Sequence, residues 1–120
     1  MKAAPASVTM GRWAIEDDRR EALKRCRTRL AREGFVVSWV IDGPARRSVR
    51  PPDLMAAVGP RTVRVFVLLD DEVDARETRD RIRASAREGE TRVCVPWRLR
   101  WRVLSNLERW SLAGVSVAGL

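Results

Sequence analysis

The run Arg50-Pro51-Pro52-Asp53-Leu54-Met55-Ala56-Ala57-Val58-Gly59-Pro60, followed by Val63-Arg64-Val65-Phe66-Val67-Leu68-Leu69-Asp70-Asp71-Glu72, decides the architecture of this chain. Pro51 and Pro52 remove two amide donors, so sheet pairing is only partial before Asp53. Residues 53–58 read as a short strand that turns at Gly59-Pro60. Residues 62–69 form the strongest strand pattern of the chain. Val63, Val65, Val67 and Leu69 fall on one face; Arg64, Phe66, Leu68 and Asp70 fall on the other. The pair makes a hairpin with carboxylates at one end. Converging carboxylates bind hard divalent cations through oxygen, and a cation held there activates water for phosphodiester cleavage. Acids at strand ends also simply cap turns and keep a surface soluble. From the residues alone both readings stand.

Working outward, residues 13–33 carry helical spacing. Ile15, Ala22, Leu23, Cys26 and Leu30 share a face, arginines coat the other, and Gly34 stops the helix. Glu16, Asp17 and Asp18 sit in its expected first turns and suit the positive end of the helix dipole. Residues 1–12 read as a flexible tail ahead of a single domain spanning 13–120. Residues 35–41 alternate as a strand that is apolar on both faces and so expected to be covered on both sides. Asp42-Gly43-Pro44 is a turn, and Arg46, Arg47 and Arg50 follow in a short connection.

Beyond the hairpin, residues 74–88 are helical, with Asp74 as expected N-cap and a thin apolar side at Ala75, Thr78, Ile82 and Ala86. Arg76, Arg79, Arg81, Arg83 and Arg87 coat the remainder. A strand follows at 92–96, a helix at 99–112 ended by Gly114, and a last strand at 115–118. The order is αβββαβαβ. Short turns make the middle strands antiparallel, and the alternating end implies parallel crossovers. The expectation is an α/β fold with a single mixed β-sheet flanked by helices.

Composition narrows the chemistry. The 120 residues carry a net charge of +8, nearly all of the positive charge being arginine, with Lys2 and Lys24 the only lysines. Such a surface attracts nucleic acid through its phosphates, although a basic surface need serve no more than solubility. The absence of histidine excludes a serine–histidine triad and histidine ligation of a metal. Cys26 and Cys94 lack CxxC spacing and read as buried thiols in a reducing cytosol. No apolar run is long enough to span a bilayer, which points to a cytoplasmic protein without a membrane partner. Trp97-Arg98-Leu99-Arg100-Trp101-Arg102 interleaves aromatic and basic residues, the pattern of a surface that stacks on bases and holds phosphates. Trp101 is out of phase with the apolar face of its helix and reads as exposed. Trp39 and Trp110 read as core.

This order, with Pro52-Asp53 leading the second strand and acids after the third, resembles the PD-(D/E)xK nuclease superfamily. The resemblance covers the chain from about Trp13 to its last residue. It implies a restriction-endonuclease-like fold, with Asp53 as the first motif acid, Asp70 or Glu72 completing a magnesium or manganese site, and Glu16 as the assisting acid of the first helix. The motif lysine is missing: counting from either Leu68 or Asp70, its position holds Asp70 or Glu72. Lys24 or Arg64 would have to supply that charge. The resemblance thus implies a DNA-binding protein with a degenerate catalytic centre, with Arg46, Arg47, Arg50, Arg98, Arg100, Trp101 and Arg102 against nucleic acid, DNA rather than RNA. The alternatives are a nuclease with Asp53 and Asp70 on the metal, or a small accessory subunit that binds a protein partner or a second copy through exposed tryptophans or helix 74–88.

Overall fold

The computed structural model describes residues 3–39 and 51–120, with side chains for 18–39 and 51–120. The elements run α1 (Ala3–Arg32), β1 (Val36–Trp39), β2 (Leu54–Val58), β3 (Arg61–Val67), α2 (Arg76–Glu88), β4 (Thr91–Val95), α3 (Arg100–Arg109) and β5 (Val115–Gly119), with one 3-10 turn at Trp97–Leu99 leading into α3. The strands form one sheet in the order β1-β2-β3-β4-β5. β1, β2 and β3 are antiparallel neighbours, while β3, β4 and β5 are parallel. This is an α/β protein with a single mixed sheet.

Local chemistry explains the hairpin. Val58 pairs with Arg61, leaving Gly59-Pro60 as a two-residue loop. Gly59 has φ +56°, and a positive φ at the first central position is what a type II′ hairpin turn requires. Gly34, at φ +96°, closes α1. The Phe35 amide donates to the Leu30 carbonyl and the Gly34 amide to that of Ala31, so α1 ends in a Schellman motif with Phe35 packed in the same core cluster as Leu30. α1 starts at Ala3, ahead of the expected start near Trp13; alanines propagate helix well, and Pro5 lies in the first turn, where its missing N–H has no helical acceptor.

The sheet separates two apolar layers. Leu54, Ala56, Val63, Val65, Val67 and Cys94 pack with Ala22, Cys26 and Leu30 of α1. Phe66, Leu68, Val93 and Val95 pack with Ile82 of α2 and with Leu99, Val103 and Leu107 around α3. β3, alternating as its sequence reads, is buried on both faces from Val65 to Val67.

Three expectations are corrected. β1 is an edge strand among the described residues, not one covered on both sides: Val36 is 73% and Trp39 49% exposed, because β1 pairs with β2 alone and only Val37 packs into the layer under α1, while no β1 residue joins the layer on the other face. Asp74 is not the N-cap of α2. Ala75 holds that position without a side-chain cap, while Asp74 accepts from Arg102 and Asn106 of α3. Gly114 does not end α3. Ser111 does, at φ +57°, with the Leu112 amide donating to the Leu107 carbonyl and the Ser111 amide to that of Glu108, a second Schellman closure built without glycine.

Candidate functional site

The carboxyl ends of parallel β3, β4 and β5 lie together, and the antiparallel register brings the start of β2 to the same edge. In open α/β sheets this is the edge that carries ligand sites. Asp53 stands there, its amide donating to the Val65 carbonyl at 2.9 Å. The β3 residues beside it are therefore Val65, Phe66 and Val67. Asp70, Asp71 and Glu72 fall beyond the last strand residue, in the turn before α2.

Asp53 is enclosed by cations. Its Oδ1 accepts from Arg19 at 2.9 Å and from Arg81 at 3.4 Å, and its Oδ2 accepts the Val67 amide at 2.8 Å. Arg19 projects from α1 and also donates to Glu72 at 2.7 Å. Glu72 accepts the Leu69 amide as well. Arg81 comes from α2 and is only 3% exposed. It donates to the Pro51 carbonyl at 2.8 Å and lies over the Phe66 ring at 4.9 Å, while its Nε is buried without a hydrogen-bond partner. A helical arginine in a polar stretch reads as solvated surface. Only a carboxylate across the sheet edge makes its burial tolerable, and no spacing in α2 signals that.

The arrangement does not suit a divalent cation. Magnesium and calcium need open carboxylate oxygens converging at 2.0–2.6 Å, and both oxygens of Asp53 are already engaged. Among the described residues no group of three or more His, Cys, Asp or Glu side chains is placed to hold a metal. Asp53 and Glu72 are brought together through Arg19. Asp70 instead forms a two-point pair with Arg98, at 2.5 and 2.6 Å, on the open surface. The side chain of Glu16, and Arg46, Arg47 and Arg50, lie outside the described residues. Lys24 is exposed on α1, and Arg64 pairs with Glu88 and Ser85.

The aromatic and basic run lies just past β4. Trp97 and Trp101 are 66% and 74% exposed. The Arg100 guanidinium lies 5.2 Å from the Trp97 ring and 5.6 Å from the Trp101 ring, with no carboxylate partner among the described residues. Arg102 pairs with Asp74 in the open. Such exposed pairs contribute little and open readily. The hydrogen bonds from Arg98 hold the Asp70 carboxyl below its ordinary value. Trp39, expected in the core, is half-exposed, whereas Trp110 packs partly against the layer beneath α3.

Cys26 and Cys94 are free, buried thiols whose sulfurs lie 3.1 Å apart. The hydrogen bond that Cys26 donates to Cys94, together with burial, pushes the Cys26 pKa far up, so it stays protonated. Compared with protein-family models, with curated proteins and with solved structures, the chain finds no match in any of the three.

Proposed function

We propose that this chain is a nucleic-acid-binding domain on a restriction-endonuclease-like scaffold, with DNA as its ligand and without a cleavage centre. The observation that carries the binding half is the Trp97–Arg100–Trp101 ridge. Two exposed indoles flank a guanidinium that no acid among the described residues neutralises, on a chain of net charge +8. Indole faces stack on bases and the guanidinium pairs with a phosphate. The order αβββαβαβ and the place of Asp53 at the head of β2 support the scaffold. Arg19 and Arg81, closing on Asp53 from two helices, support the loss of cleavage: they neutralise the acid in place of a metal.

The test is fluorescence anisotropy with labelled DNA across salt, beside a cleavage assay with manganese. Affinity is expected to fall steeply with salt. The Arg100→Ala and Trp101→Ala variants are each expected to lose about tenfold, and the DNA is expected to remain intact. No affinity at low salt would end the binding reading; manganese-dependent cleavage abolished by Asp53→Ala would end the non-catalytic one.

The open β1 edge favours a second reading, a protein-interaction subunit. Val36 and Trp39 are exposed beside strand backbone that is unpaired among the described residues, a template for a further strand. Helix α2, by contrast, turns its thin apolar side onto the sheet. Sedimentation that shows only monomer and no partner dependence would count against this reading.

A further inference from the structure

Along α1 runs an open furrow, bounded on its other side by Leu120, which follows β5. One part, about 560 Å³, is lined by Lys24, Arg25, Arg29, Arg32 and the Thr28 hydroxyl, against a single carboxylate, Glu21. The adjoining part, about 740 Å³, is lined by Trp97 and by Asp18, Asp70 and Asp71, with Arg98 among them. Glu21, Arg25 and Leu120 line both parts, so the furrow is continuous. Its two ends have opposite character. In the basic part Lys24 and Arg32 are exposed without an acid partner among the described residues, and Arg25 holds Glu21 only loosely, at 3.6 Å. Lys24 and Arg32 stand about 12 Å apart along the helix axis. In the acidic part Asp70 is paired with Arg98, but Asp18 and Asp71 are exposed and unpaired among the described residues.

A duplex does not match this pattern. It presents phosphates on its outside and keeps its base faces stacked within. An unpaired nucleotide does match it, because its phosphate is anionic and its base offers a flat face and amino donors. We propose that the furrow takes a single strand of nucleic acid, with backbone phosphates on the α1 cations and a base stacked on Trp97. The exocyclic amino group of that base donates to Asp71 or Asp18, as cytosine N4 donates to a carboxylate in base readout. The proposal rests on the nucleic-acid reading above and names its substrate form. Gly119 abuts the edge of the Trp97 indole: a Cβ there would fall 2.6 Å from Cε3 and 3.3 and 3.7 Å from Cζ3 and Cδ2, an approach in the plane of the ring that any side chain at this position would block.

The experiment titrates the full chain with labelled oligo(dC), oligo(dT) and a blunt DNA hairpin at low salt. Oligo(dC) is expected to bind about tenfold more tightly than the hairpin, and several-fold more tightly than oligo(dT), which has no amino group. Lys24→Glu with Arg32→Glu is expected to weaken oligo(dC) by about tenfold and to flatten the salt slope by about 1.4. Gly119→Ala, which changes no charge, is expected to weaken oligo(dC) by displacing Trp97, with a thermal melt confirming that the variant is folded. Salt-dependent hairpin binding equal to or tighter than oligo(dC) would overturn the single-strand furrow and leave the nucleic-acid reading intact. Cytidine monophosphate binding as tightly as the strand would also overturn it, as would an unchanged affinity in the charge-reversed variant. No binding to any of the three would overturn both.

Discussion

Asp53 has two oxygens, and three donors meet them: Arg19, Arg81 and the Val67 amide. The carboxylate is thereby a structural counter-ion. Its removal would leave Arg81 charged in a setting where only 3% of it reaches solvent. Stranding a buried charge costs about 3–5 kcal/mol. Asp53→Ala is expected at the low end, about 3 kcal/mol, because Arg81 keeps the Pro51 carbonyl and its contact with Phe66. Arg81→Met is expected to cost less, since Asp53 would retain Arg19 and the Val67 amide. Urea unfolding of both variants checks the order; Arg81→Met falling further than Asp53→Ala would refute this account. Asp53 was legible in the sequence as a residue of consequence, but its two arginine partners were not. Its partners lie 34 and 28 residues away, on helices whose arginines all look alike when read along the chain.

Among the elements, strands and helices with strong periodicity were readable, and their ends and exposure less so. β3 announces its burial through two apolar faces. β1 has the same apolar alternation and yet is exposed, because strand order, not strand composition, decides which strand lies at the edge. The closure of α3 shows how a boundary moves. Gly114 was the obvious stop, but Ser111 takes the left-handed conformation at φ +57°, which costs a residue with a Cβ about 1–2 kcal/mol. Ser111→Gly relieves that strain and is expected to stabilise the fold by about 1 kcal/mol. Thermal denaturation reads this directly, and a lowered melting temperature would contradict the Schellman closure at that position.

For the whole molecule, charge sets the response to pH. The chain has no histidine, so no histidine titrates between pH 5 and 8, and the hydrogen bond to Cys94 and burial keep the Cys26 thiol protonated. Among the described residues Asp70 is lowered by Arg98 and Glu90 by Arg61, from ordinary values of 3.8 and 4.5. A depressed folded pKa gives stability that is complete above the ordinary value and is lost as pH falls through the folded one. The contribution of these two pairs to the melting temperature is therefore expected to hold from neutral pH down to about 4.5 and to be lost below it. Both pairs are on the surface, so that loss starts shallow. A melting temperature that falls steadily between pH 7 and 5 would mean that a group other than these pairs controls stability.

The sequence by itself determined the α/β class, the mixed pairing of the sheet, the buried cysteines and the basic character of the surface. Each follows from local spacing, turn chemistry or composition, which need no knowledge of distant neighbours. Only the tertiary structure decided that Arg19 and Arg81 close on Asp53, that Glu72 joins them while Asp70 turns to Arg98, and that α1 and Leu120 bound a furrow leading to Trp97. These depend on residues far apart in the chain meeting at one sheet edge. Which donors surround a carboxylate there is set by the side chains that the packed helices bring to it, and spacing along the chain does not carry that.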